Sequence, residues 1–210
     1  MIRGVLYLAA SALFCADFMF PPNAAAPTRT TAELGRSFTA AVWRSSSGVR
    51  ALVTSLLTGV AVFGWSATFG WAAWSAALAP LEIIAVALFI CGYGLRAWSK
   101  ATLGRHFTYE IQSPEALVSD GPYALLLHPS YTGFALEWGC LGAFWLELPL
   151  GPGYALPLAV PLLAAFYGAM LAFLWVWRAQ GEEGAMRGAF GGQWDRHVSA
   201  GRWRFIPWVF

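Results

Sequence analysis

Apolar residues in this chain fall into long runs separated by three polar stretches, and the runs are too long and too continuous for the amphipathic helices of a water-soluble fold. The first runs from Val5 to Phe20. Pro21, Pro22 and Pro27 end it, and Thr28 to Arg50 forms a polar segment carrying Arg29, Arg36, Arg44 and Arg50. Ala51 to Trp98 is then almost free of charge apart from Glu82, a length that suits two spans of about 20 residues each. Ser66 to Gly70 is the natural turn between them, and Pro80 falls near the start of the second helix, where a missing backbone donor does little harm. A second basic stretch holds Arg96, Lys100 and Arg105. Tyr131 to Leu150 and Tyr154 to Trp177 make another hairpin, turned at Pro149 to Gly153, before a third basic segment opens at Arg178.

This pattern predicts an all-α, polytopic integral membrane protein of about five transmembrane helices, since the strand-like alternation of a membrane barrel is missing. Hairpins return the chain to the side it left, so the three basic segments share one face, and by the positive-inside tendency that face is the cytosol. No period of 20 to 50 residues repeats. Val5 to Phe20, preceded by Arg3 and followed by the small residues Ala24 to Ala26, also fits a secretory signal; a retained first helix serves a polytopic chain equally well.

Composition agrees with this picture. Hydrophobic residues make up 58% and charged residues 11% of the 210, against about 45 to 50% and 25% in soluble domains. Twelve Trp suit a chain with two membrane interfaces. A net charge of +2 without a basic run gives no reason to expect nucleic acid as a partner. Cys15, Cys91 and Cys140 are odd in number, lie in apolar segments and lack metal-site spacing, which reads as buried, inert thiols and no metal site.

Polar groups concentrate in two places, Leu103 to Gly133 and the region from Arg178 onward. His128-Pro129 has a plain structural use as the start of the fourth span, with a polar residue before a proline at the first helical position. A helix start at the membrane surface also presents free backbone donors to a ligand. Arg178 and Glu182 are spaced i,i+4 and share a helical face; they form either a solvated pair, with Glu183 and Arg187 as a second one, or a site in which Glu182 meets a cation and Arg178 a carboxylate. Glu82 and Glu137 fall within or near spans, where ionisable groups are usually paired or functional. His106 and His197 read as surface histidines. Gly59, Gly64 and Gly70 are candidates for close helix approach.

In order along the chain stand Leu103-Gly104 with Phe107-Thr108, Ala116 to Tyr123 (ALVSDGPY), His128 to Gly133 (HPSYTG), Arg178 with Glu182-Glu183, Phe190-Gly191 with Trp194, and Phe205 to Pro207 (FIP). Together they resemble the isoprenylcysteine carboxyl methyltransferases. The resemblance divides the chain into amino-terminal membrane helices with a basic loop, 1–96, and a catalytic half, 97–210. It implies methyl transfer from S-adenosyl-L-methionine to the C-terminal carboxylate of a prenylated cysteine, at the cytosolic face of the endoplasmic reticulum. It also implies a prenylated protein C-terminus or prenylcysteine small molecule and membrane lipid as partners, with oligomeric state left open. By the same resemblance the cofactor meets Gln112, Glu115, Ala116, Leu117, Val118, Tyr123, His128, Pro129, Ser130, Tyr131 and Glu182, while Arg178 faces the acceptor carboxylate and acts with Glu182 in catalysis. One position departs from the family: Leu127 stands where an Arg usually precedes the HPSY element.

Such a carboxylate, with a reference pKa of about 3.5, is already ionised at neutral pH and needs placement and dehydration rather than a base. A phospholipid or other amine methyltransferase would instead need a base, for which Glu183 and His128 are the candidates. A sterol-reductase-like oxidoreductase and a silent membrane scaffold are the remaining readings.

Overall fold

The computed structural model describes residues 2–19, parts of 53–59, 77–78, 80–107, 114–146 and 159–208. Within them lie helices α1 (Ile2–Met19), α2 (Pro80–Leu103), α3 (Pro129–Leu146), α4 (Ala159–Phe190) and α5 (Gly192–Ser199), with short 3-10 turns at Gly104–His106 and Gly121–Ala124. The described residues form no strand; one isolated bridge joins Leu126 to Trp203. Thr28 to Arg50 and the predicted turns at Ser66 to Gly70 and Pro149 to Gly153 lie outside the described residues.

Helix starts follow the prolines. Pro80 opens α2 and Pro129 opens α3, each where its missing N–H would have had no intrahelical partner. α4 begins within the predicted fifth span and does not stop at Trp177; it continues unbroken through Arg178, Glu182 and Glu183 to Phe190.

The polarity of α2 is the reverse of a soluble helix. Its buried stripe is Glu82, Ala85, Phe89, Gly92, Arg96, Ser99 and Lys100, while Ile83, Ile84, Leu88, Ile90 and Trp98 face outward. In water that arrangement wastes the hydrophobic effect; in lipid the outer residues are solvated by acyl chains and the inner ones find partners. At 24 residues the helix is about 36 Å long, enough for a hydrocarbon core of about 30 Å. It is the one helix among the described residues that is both long and apolar enough to cross a membrane.

α1 runs parallel to α2. Arg3, at the start of α1, donates from Nε to Glu82 Oε1 at 2.7 Å, and Asp17, near its end, meets Arg96 and Lys100. Parallel alignment puts the C-terminal ends of α1 and α2 on one side. Tyr7 and Ala10 pack with Ala85, Phe89 and Cys140 to form a small core shared by α1, α2 and α3. Cys140 is buried as expected, whereas Cys91 is exposed, because it lies off the buried stripe of α2, and Cys15 is only partly covered.

Among the described glycines, the tightest contacts are between α2 and α3. A Cβ at Gly92 would sit 2.6 Å from the Gly133 carbonyl oxygen, and one at Gly133 would sit 2.6 Å from that of Gly92 and 3.0 Å from Arg96 Cβ. Gly59, one of the glycines expected to serve this purpose, has nothing within 4 Å, while Gly64 and Gly70 lie outside the described residues. Replacing Gly92 or Gly133 with Ala should cost about 1 to 3 kcal/mol, because the obstacle is backbone and cannot rotate away. Gly94→Ala, with open space around it, should be neutral or stabilising. Thermal unfolding in detergent checks both; equal midpoints for all three variants would refute the tight crossing.

Candidate active site

The connection into α3 is shaped before any catalytic side chain is placed. Gly121 adopts a φ of +56°, a left-handed conformation that L side chains rarely take, and a Cβ there would stand 2.9 Å from Thr102 Oγ1. Asp120-Gly121-Pro122 therefore folds tightly against the end of α2 and leads into Leu125–His128. The C-terminal segment runs beside that stretch: Trp203 N donates to Leu125 O (3.1 Å), Leu127 N to Trp203 O (2.8 Å) and His128 N to Arg204 O (3.1 Å). Thr132 Oγ1 donates to Phe205 O at 2.6 Å and ties the first turn of α3 to the same strand-like segment.

Two remote parts of the chain converge there. Arg178 Nε donates to the Tyr131 hydroxyl at 2.7 Å, and that hydroxyl donates to Glu182 Oε1 at 2.7 Å; Arg178 and Glu182 also pair directly at 3.2 Å. His128 Nε2 stands 3.1 Å from Glu183 Oε1, and its Nδ1 is 3.7 Å from Glu182 Oε2. Arg204 closes the network by donating from Nε and Nη2 to the two oxygens of Glu183, at 2.7 and 2.9 Å. The rings of His128, Tyr131 and Phe205 lie 5.5 to 6.4 Å apart at its edge.

The alternative pair of Glu183 with Arg187 is not formed. Glu183 is buried and turns toward His128 and Arg204, while Arg187 pairs with Asp195 at 3.2 Å on the surface. The i,i+4 rule addresses only partners on the same helix, so it missed a cation arriving from the C-terminal segment. Arg204 is the functional candidate that sequence reasoning overlooked; its place two residues after Arg202 and beside the FIP element gave no sign that backbone pairing would carry it to position 128. His197, expected at the surface, is buried against Trp194, and burial, reinforced by Arg202, lowers its pKa.

Other expected residues spread around this core. Pro129 is fully buried and Ser130 partly so. Tyr123 is close enough to Glu182 to feel its charge; burial first, and that carboxylate second, push the phenol well above its usual range, so it stays a neutral hydroxyl. Ala116, Leu117 and Val118 are half-buried. Glu115 is exposed, 3.8 Å from His106 Nδ1, and does not join the network. Gln112 lies outside the described residues.

Residues 85–148 match the model of the isoprenylcysteine carboxyl methyltransferase (ICMT) family. Neither curated proteins nor solved structures give a significant match. The matched segment contains α2 from Ala85 onward, the ALVSDGPY turn, the HPSYTG corner and all of α3. Arg178, Glu182, Glu183 and Arg204 lie beyond it and are joined to the matched segment by the hydrogen bonds above. The match, which covers less than a third of the chain, points toward the membrane methyltransferases.

Glu183 also fixes how the network responds to acid. Burial alone would raise its carboxyl, but the bonds from His128 and Arg204 outweigh that and hold it below the ordinary value of 4.5. A depressed carboxyl contributes stability that is complete above its unfolded value and is lost as pH falls through the folded one. The stability gap between wild type and Glu183→Gln should therefore be constant near neutrality and shrink below about pH 4.5. Arg204→Met should cost about 1 to 3 kcal/mol at neutral pH by stranding a charged acceptor. Thermal midpoints against pH test both, and a gap that widens on acidification would contradict the assignment.

Proposed function

We propose that this protein methyl-esterifies the C-terminal carboxylate of a prenylated cysteine, with S-adenosyl-L-methionine as methyl donor, in a five-span chain of the endoplasmic reticulum whose site faces the cytosol. The catalytic half is residues 97–210. One observation carries the reading: the HPSYTG corner and the Arg178–Glu183 turn, far apart in sequence, meet through the Tyr131 hydroxyl at the end of the apolar part of α4.

The donor set suits such a cofactor. A sulfonium amino acid joined to a nucleoside needs carboxylates near its positive charges and flat groups beside its base; Glu182 supplies the first, and Tyr131, His128 and Phe205 supply ring surfaces. Gln112, Glu115, Ala116, Leu117, Val118, Tyr123, His128, Pro129, Ser130, Tyr131 and Glu182 would hold it, and when bound it supplies an activated methyl group. Tyr131 orients both catalytic side chains, accepting from Arg178 and donating to Glu182. Arg178 presents its guanidinium to the acceptor carboxylate. The protein's task is alignment and exclusion of water, since the nucleophile is already an anion. The acceptor's chain is held by apolar burial worth about 0.8 kcal/mol per methylene.

The state of Glu183 weighs against the amine-methylating alternative. A base for an ammonium acceptor must be free to take a proton near neutral pH, yet Glu183 is gripped by Arg204 and His128 with its pKa driven down, and His128 Nε2 is committed to Glu183. Leu127, at the position where the family usually carries Arg, is buried with its N–H on Trp203; the adjoining Arg204 brings a guanidinium to Glu183.

Membranes containing the protein, given methyl-labelled S-adenosylmethionine and a farnesylated cysteine analogue, should yield base-labile label; label confined to lipid amines would establish the alternative. Glu182→Ala should abolish cofactor binding, whereas Arg178→Ala should chiefly raise the acceptor's KM. Tyr131→Phe, which removes one hydroxyl from both partners, should reduce kcat/KM about tenfold. Unchanged kinetics in all three variants would defeat the assignment.

A further inference from the structure

A second cluster of buried charge lies between α1, α2 and α3, apart from the network of Tyr131 and Glu182. Arg96 and Lys100 stand one turn apart on the inner stripe of α2, and both bring their cationic groups to a single carboxylate, that of Asp17 on α1. Lys100 Nζ also donates to the Asp17 carbonyl at 2.9 Å. The Arg96 guanidinium lies over the Phe134 ring, and its Nη1 is 3.4 Å from the Ser130 carbonyl oxygen, one residue before Tyr131. A fourth charge-bearing group completes the cluster. Glu137 on α3 is 0% exposed, within electrostatic reach of Arg96, Asp17 and Lys100, and neither of its carboxylate oxygens has a hydrogen-bond partner among the described residues.

The opposite ends of the same helices show what a simple latch looks like: Arg3 and Glu82, one cation and one carboxylate. At the Asp17 end two cations converge on one carboxylate while a second carboxylate stays unsatisfied. An orphaned carboxylate in a low-dielectric interior is costly, and buried polar groups without partners call for an explanation such as a ligand. The groups themselves define the ligand's chemistry. A two-cation clamp filled by a side-chain carboxylate accepts another carboxylate, and a carboxylate lacking donors accepts an N–H. A C-terminal amino-acid residue carries both groups on neighbouring atoms.

We propose that Arg96, Lys100 and Glu137 form the head-group site at which the membrane-borne acceptor docks, the two cations taking its terminal carboxylate and Glu137 its adjacent amide N–H, with Asp17 occupying the clamp until the acceptor displaces it. This rests on the acceptor class proposed above and adds the station at which that acceptor arrives from the bilayer. Arg178, bonded to Tyr131 in the same first turn of α3, is the cation it meets next.

The test is binding of N-acetyl-S-farnesylcysteine and of its carboxamide to the full chain in lipid nanodiscs. Wild type should prefer the carboxylate by about tenfold, and Asp17→Asn should tighten the carboxylate about fivefold while leaving the carboxamide unchanged. Arg96→Gln and Lys100→Gln should erase the preference, the charge-keeping Arg96→Lys and Lys100→Arg should retain part of it, and Glu137→Gln should weaken both ligands. The conservative variants guard against mere misfolding. Asp17→Asn that leaves carboxylate affinity unchanged or weaker makes the cluster a latch and overturns the site. A carboxylate preference indifferent to positions 96 and 100 overturns the site while the methyltransferase reading stands. Failure of wild type to bind either compound, with label passing to lipid amines, overturns both.

Discussion

How closely α2 and α3 cross governs everything at the polar end of this molecule. With no side chain at Gly92 or Gly133, the two backbones touch, and Arg96, one turn above Gly92, is carried to the carbonyl of Ser130. The start of α3 is thereby held against α2 on one side and, through Thr132 and His128, against the C-terminal segment on the other. Lipid gives no hydrophobic drive for such an approach, so it depends on backbone contact and on polar groups that have nowhere else to go. Moving the helices apart by the width of one methyl group would shift His128 and Tyr131 relative to α4, and positioned chemistry is sensitive to displacements of that size.

The same constraint explains the inverted face of α2. Acidic and basic groups inside a membrane bundle persist where they are paired or where they serve a ligand. Arg3 and Glu82 are a matched pair at one end; toward the other, Arg96 and Lys100 share the Asp17 carboxylate, and Glu137 has no hydrogen-bond partner among the described residues. Between them the interior is small and apolar, built from Tyr7, Ala10, Ala85, Phe89 and Cys140. Most of this charge lies toward the two ends of α1 and α2, while Glu137 sits midway along α3 beside Gly92.

Within that network the two adjacent glutamates are set to different tasks by different neighbours. Glu183 is nearly enclosed and held by Arg204 and His128, so it serves as an anchor between α4 and the closing segment. Glu182 remains partly open and shares its oxygens with Tyr131 and Arg178, leaving it the carboxylate suited to meeting a cation. Such a division is in keeping with the already ionised acceptor proposed above.

Much of this was legible in the residues. Proline positions gave the starts of α2 and α3, apolar runs gave α1 to α3 and the first part of α4, and the i,i+4 spacing gave the pair of Arg178 and Glu182. These are local properties, set by backbone stereochemistry and by the transfer of side chains into lipid, and each depends only on neighbours in the chain. The partner of Glu183, the burial of His197 and the glycines that touch were not legible, because each depends on a residue far along the chain. Arg204 reaches Glu183 only because Trp203 and Arg204 pair with Leu127 and His128, and Asp17 reaches Arg96 only because α1 lies parallel to α2. Sequence by itself determined which segments are helical and which groups are too polar to face lipid; only tertiary packing decided which of those groups meet, since pairing inside a membrane follows distance in space and the chain's order carries no record of it.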